Sequence, residues 1–114
     1  MSEEPFTIRL DGALIRTETD FHQAIAEQTG IDWYGRNLDA LDEMLAMIIP
    51  MTHGPFRIVW DKADLSHVGF GQRYLMIVGI MKEAEAQFSD RFIEFRMTFE
   101  EPYFDDGEDP FARR

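Results

Sequence analysis

Phe6-Thr7-Ile8-Arg9-Leu10 alternates apolar and polar residues with period two, and Asp11-Gly12 ends the run. That pattern predicts a strand leaving into a turn. Further on, Thr19 is placed to cap a helix with Asp20 in its first turn. Phe21, Ala24, Ile25 and Gln28 recur at helical spacing, and Gly30 supplies a stop. Residues 31–36 read as a short, aromatic-rich connection. Asn37 then caps a second helix, predicted to run to about Ile49 and to end before Pro50. His53-Gly54-Pro55 is a loop, and Phe56-Arg57-Ile58-Val59-Trp60 has the content of a largely buried strand. Residues 61–67 have room for one short helical turn. Gly69 to Gly71 leads into a long helix from about Gln72 to Phe88, with Tyr74, Ile77, Val78, Met81, Ala84 and Phe88 on one face. Finally Ile93, Phe95, Met97 and Phe99 alternate with Glu94, Arg96 and Thr98, a strand with one wetter face.

The order is strand, two helices, strand, one or two helices, strand. Crossovers of this length join parallel neighbours by right-handed connections, so the class is α/β with a three-stranded parallel sheet. At 114 residues the chain holds one domain, assigned to residues 1–99. Residues 100–114 lose the periodicity, gather Asp105, Asp106, Glu108 and Asp109 around Gly107, and read as a mobile acidic tail.

Charge narrows the function. Asp and Glu number 22 against 11 Lys and Arg, a formal charge of −11. The tail carries six acids and two bases, so residues 1–99 keep 16 acids and 9 bases, or −7. Such a field disfavours direct nucleic-acid binding and draws in a cationic surface, including that of a protein which itself binds nucleic acid. There are no cysteines, which removes disulfides, thiolate metal sites and a cysteine nucleophile. The acidic Met1-Ser2-Glu3-Glu4-Pro5 start lacks the signal-peptide pattern, and the longest apolar stretch, Met44 to Met51, is too short to span a bilayer. The sequence reading is cytoplasmic, without a membrane partner.

The second helix carries the most information. At about 100° per residue, Leu38, Leu41, Met44, Leu45, Ile48 and Ile49 share an apolar face. Asp39 and Glu43 stand one turn apart on the other side, with Ala46 and Met47 beside them and Asp42 near the boundary. No lysine or arginine within the helix offsets the three acids. Two readings stay open on pattern alone: acids favoured by the helix dipole and ordinary solvated surface, or a binding face. The preceding Trp33-Tyr34 pair is equally ambiguous between a cover for the core and anchors for a partner. Asn37 reads as the cap, and Gly35 as a residue requiring positive φ.

Trp33-Tyr34-Gly35-Arg36-Asn37-Leu38-Asp39-Ala40-Leu41 resembles the Tyr-Gly-x-Asn-Leu-Asp-Ala-Leu signature of barstar-type ribonuclease inhibitors. The strand ending Leu10-Asp11-Gly12, the Asp20-Phe21-His22-Gln23 helix start, the strand ending at Trp60 and Lys82-Glu83-Ala84 extend the likeness over residues 7–98. The resemblance implies a barstar-like sheet of order 1-2-3 packed against three to four helices. It also implies inhibition, without catalysis or cofactor, of a small basic ribonuclease or nuclease toxin by the second helix and the loop before it. On that reading the partner-facing residues are Trp33, Tyr34, Gly35, Asn37, Asp39, Asp42, Glu43, Ala46, Met47 and Glu83, and the free protein is a monomer. Asp42 and Ile48 stand where the family carries tryptophans, Glu43 replaces an aspartate, and the tail has no barstar counterpart.

Other readings compete. Asp39 and Glu43 as an acid/base or metal-binding pair lack further ligands, since His22, His53 and His67 are widely spaced and Ser66-His67 defines no triad. Gly69-Phe70-Gly71 resembles half of a phosphate loop but lacks its third glycine and a Walker lysine, and reads as a flexible helix entrance. Residues 47–51 could dock a partner helix, although core filling explains the methionines as well. The principal alternative is an interaction module of the same fold whose partner is not a nuclease.

Overall fold

The computed structural model describes residues 5–100; the expected acidic tail beyond Glu100 lies outside the described residues. Strands β1 (Phe6–Asp11), β2 (Phe56–Asp61) and β3 (Phe92–Met97) form one parallel sheet in the order β1-β2-β3. The first crossover holds α1 (Glu18–Thr29), α2 (Leu38–Glu43), a π turn (Met44–Ile48) and α3 (Ile49–His53). The second holds α4 (Ala63–Phe70) and α5 (Gln72–Gln87). Because α2, the π turn and α3 run on without a break, the sheet carries four helical bodies.

Side-chain alternation sets which face of the sheet is covered. Ile8 and Leu10 of β1 are buried while Thr7, Arg9 and Asp11 are exposed, and Phe56, Ile58 and Trp60 continue the buried set across β2. Trp60 is the centre of this core. Its ring lies 5.4 Å from Phe21 of α1, 5.9 Å from Phe70 of α4 and 5.7 Å from Tyr74 of α5, and its indole N–H donates to Ser66 Oγ at 3.2 Å. The other face is charged: Arg9 meets Asp61 at 3.2 Å, and Glu94 lies 4.0 Å from Arg57 and 3.7 Å from Arg96.

Several local expectations are corrected. The cap of α1 is Thr17, because the Thr17/Asp20 spacing closes a capping box: Asp20 N–H donates to Thr17 Oγ1 at 3.1 Å, and Thr17 N–H to Asp20 Oδ2 at 3.2 Å. Pro50 does not end the second helix. The π turn has already broken the four-residue ladder, with Ile49 N–H reaching back five residues to Met44 O, so a proline near the start of α3 interrupts little. The Ala46 carbonyl, which Pro50 has no N–H to serve, accepts instead from Arg91 Nη1 at 2.9 Å. In β3 the register slips between Phe56 and Arg57, which pair with Phe92 and Glu94. Ile93 is therefore the extra residue, 44% exposed, and Phe92 takes the core position.

The entrance to α5 is fixed by packing. A Cβ on Gly69 would run into the Arg16 carbonyl oxygen, a collision with backbone that no rotamer relieves. Gly69→Ala is expected to cost about 2 kcal/mol or more in chemical denaturation. A loss under about 0.5 kcal/mol would show that this contact is loose.

Candidate protein-binding site

The connection between α1 and α2 is held at both ends and in its middle. Gly30, at φ 74°, closes α1 with its N–H on Ala26 O. Asn37 closes the other end, its side chain accepting from Ala40 N–H at 2.8 Å. Gly35 does not have positive φ; Arg36 does, at 61°. Space is what restricts that position instead, since a Cβ there would stand 3.2 Å from the Ala40 Cβ and would press that neighbour to shift.

Tyr34 is the middle anchor. It is 5% exposed, within the core, so it holds the loop from behind, whereas Trp33 beside it is 69% exposed. The Tyr34 hydroxyl bonds Nδ1 of His22, a residue 2% exposed. His22 Nε2 lies 3.1 Å from Glu18 Oε2, and Arg73 Nε donates to Glu18 Oε1 at 2.8 Å. A hydrogen bond to the Arg73 guanidinium holds the Glu18 carboxyl below its ordinary range. An ionised Glu18 only accepts, so His22 Nε2 carries the proton and Nδ1 accepts from Tyr34. Burial, then the Glu18 charge, pushes the Tyr34 phenol up, which keeps it a donor. A chain of polar contacts thus runs from the start of α5 through α1 to the loop.

From this support α2 projects its acids. Asp39, Asp42 and Glu43 are all exposed, while Leu41, Met44, Leu45 and Ile49 are buried. Among the described residues none of the three acids has an ion-pair or hydrogen-bond partner. The π turn carries the surface onward through half-buried Ala46 and Met47, 46% exposed. Glu83 is exposed on α5, the helix against which α2 packs. The structure thus brings Trp33, Gly35, Asn37, Asp39, Asp42, Glu43, Ala46 and Met47 onto one stretch of chain, with Tyr34 beneath it.

The histidines do not assemble. His53 stacks on Phe6 at 3.9 Å and bonds Thr29 O at 2.7 Å, and His67 stacks on Tyr74 at 4.5 Å. Ser66 Oγ is engaged by Trp60 and lies 3.4 Å from Gly12 O. Among the described residues no group of three or more His, Asp or Glu side chains is placed to hold a metal ion, and no helix is long and apolar enough to cross a membrane. Sequence reasoning missed the His22–Tyr34 pair and the Arg91–Ala46 bond. A histidine beside Phe21, Ile25 and Ala26 on the inner side of α1 was the one available signal for the first. The missing N–H of Pro50 was the signal for the second.

A small three-stranded parallel α/β domain presenting an unpaired acidic helix defines the class. The family model described as Barstar (barnase inhibitor) matches residues 6–100, and the chain belongs to that family. A comparison with curated proteins returned no match.

Two outcomes follow from the geometry. Burial, the largest influence, lowers the His22 pKa below 6.5, against the raising effect of Glu18 and with Arg36 and Arg73 adding to the lowering. The unfolded chain therefore binds the extra proton first as pH falls. Stability is full above pH 6.5 and is lost below it, by at most about 1.4 kcal/mol per pH unit from this one group. Glu18, also lowered, adds its loss only below pH 4.5. Denaturation midpoints measured from pH 7.5 to 4.5 should show the decline, and His22→Asn should flatten it. Separately, Asp39→Ala and Glu43→Ala should each move stability by less than about 0.5 kcal/mol, because neither side chain has a hydrogen-bond or ion-pair partner among the described residues.

Proposed function

We propose that this protein inhibits a small basic ribonuclease or nuclease toxin by placing the acidic face of α2, together with the Trp33 loop, in the enzyme's substrate cleft. A ribonuclease must hold a phosphodiester with Arg, Lys and His, and carboxylates on a rigid helix occupy the same cationic cleft. Substrate is excluded without chemistry on the inhibitor. The observation that carries this reading is the trio Asp39, Asp42 and Glu43, exposed and without partners on a helix whose other face is core. Family membership supports the same class of target.

Trp33 is proposed as the exposed anchor. Gly35, Asn37 and Tyr34 fix the loop that carries it, and Ala46, Met47 and Glu83 extend the contact. Asp42 adds an acid where the family has tryptophan, which favours a target with an additional cation at that point over one with an aromatic pocket.

Inhibition of RNA cleavage by a panel of small basic ribonucleases that includes barnase tests the proposal. At least one enzyme should be blocked stoichiometrically. Asp39→Ala with Glu43→Ala should weaken binding on the order of a thousandfold, two buried contacts at about 2 kcal/mol each, while thermal unfolding is unchanged. Association with the inhibited enzyme should slow about tenfold or more between low and high salt, with dissociation changing less. Inhibition that survives the double substitution, or an association rate insensitive to salt, would move the site off α2.

A further inference from the structure

Among the described residues, two that are not glycine hold positive φ, Arg36 at 61° and Lys62 at 54°. A side chain in that region crowds its own backbone, so each case calls for a reason. Lys62 has one close by: its N–H donates to Thr98 Oγ1 at 3.0 Å, and its carbonyl accepts from Leu65 N–H at 3.0 Å. Arg36 is exposed and has no hydrogen bond or ion pair among the described residues. Its neighbours impose the conformation, since buried Tyr34 and the Asn37 cap fix the chain on either side. Glycine would take that backbone at lower cost, yet the glycine of this loop stands one residue earlier, where φ does not require it.

Charge sharpens the question. Arg36 is the only Lys or Arg between Gly30 and Arg57, in a segment that carries Asp32, Asp39, Asp42 and Glu43. Neither Asp32 before it nor Asp39 after it forms an ion pair with it. Its charge opposes the long-range attraction of this face to a cationic cleft. A residue that strains the loop and weakens the field is offset by a contact made only in the complex.

We infer that Arg36 determines specificity at the binding face by pairing with a carboxylate of the target, set among the cations that Asp39 and Glu43 meet. The inference rests on the nuclease reading and adds to it that the cleft presents an acid as well as bases. Cleavage of RNA through an adjacent hydroxyl needs a base to take its proton, and a carboxylate serves. A guanidinium meets that group with two parallel hydrogen bonds, a fit that lysine lacks.

Rate constants for the full chain with the ribonuclease it blocks in the panel, measured by binding at low and physiological salt, test the inference. In Arg36→Gln dissociation should quicken about tenfold, for the loss of one charge-assisted pair, while association holds or rises because the inhibitor is more negative. Arg36→Gly should do the same without lowering the thermal unfolding midpoint, since glycine relieves the strained φ. Neutralising the carboxylates of the enzyme's cleft one at a time should find one variant on which Arg36→Gln has no further effect. If Arg36 is only solvated surface, Arg36→Gln will instead bind more tightly, through faster association at unchanged dissociation, and the inference is overturned. Faster dissociation in Arg36→Gly but not in Arg36→Gln would assign the effect to the loop backbone and overturn it too. Both results leave the nuclease reading standing. Failure of the wild-type protein to bind any ribonuclease of the panel would remove that reading, and this inference with it.

Discussion

Right-handed crossovers between strands laid down in the order β1-β2-β3 place both helical connections on one side of the sheet. Everything else in the molecule is arranged around that handedness. Parallel sheets are ordinarily covered on both faces, whereas among the described residues this one has a single helical layer and treats its other face differently. Ile8, Leu10, Ile58 and Trp60 go inward, while on the other face Arg9, Arg57, Asp61, Glu94 and Arg96 surround Val59, which is itself only 2% exposed. Because the core is one-sided, four helical bodies crowd one layer, and Trp60 touches rings from three of them. The bulge at Ile93 follows from the same demand: the slip lets Phe92 stack on Phe56 at 4.7 Å while Glu94 still faces Arg57.

Crowding on one layer also explains why α2 presents so clean a surface. With Leu41, Met44, Leu45 and Ile49 buried, the opposite residues of a narrow helix have only solvent before them. The loop leading into α2 is fixed by burial of Tyr34 and by the asparagine cap, so the acids project from a support that is already ordered. Preorganisation of this kind lowers the entropic cost of association, because little is left to be immobilised on contact. The π turn extends the same surface, since the widened ladder keeps the helix continuous past Pro50 and leaves the Ala46 carbonyl to Arg91.

The strands, the long α5 helix and the acidic face of α2 were legible in the sequence because each is a periodic signal, read from neighbours within a turn or two. Tyr74, Ile77, Val78, Met81 and Ala84 fall on the buried side as their spacing requires. What escaped was set at longer range or by competing local chemistry. Thr17 outcompetes Thr19 as cap because Asp20 answers it three residues on. A proline marks a helix end only where an intact ladder needs its N–H, and the π turn had removed that need at Pro50. Ile93 reads as core by alternation, yet the bulge depends on how β3 pairs with β2, which no local pattern encodes. Tyr34 beside Trp33 looked like a second anchor; its role depends on His22, twelve residues away, and on the Glu18–Arg73 contact behind that.

The division of labour within α2 bears on how such a domain changes targets. The residues that hold the helix, among them Leu41, Met44, Leu45 and the Asn37 cap, are separate from Asp39, Asp42 and Glu43, which have no hydrogen-bond or ion-pair partner among the described residues. Substitution on the outer side therefore leaves the core packing and the loop anchors in place. That separation permits an acid at Asp42, where the resembled family pattern has tryptophan, without disturbing Leu41 beneath it, since Asp42 is exposed, whereas Ile48 is half-buried against the core. A fold stabilised from one face of a helix can exchange the chemistry of the other face at small cost, and the family likeness then fixes the architecture more firmly than the target.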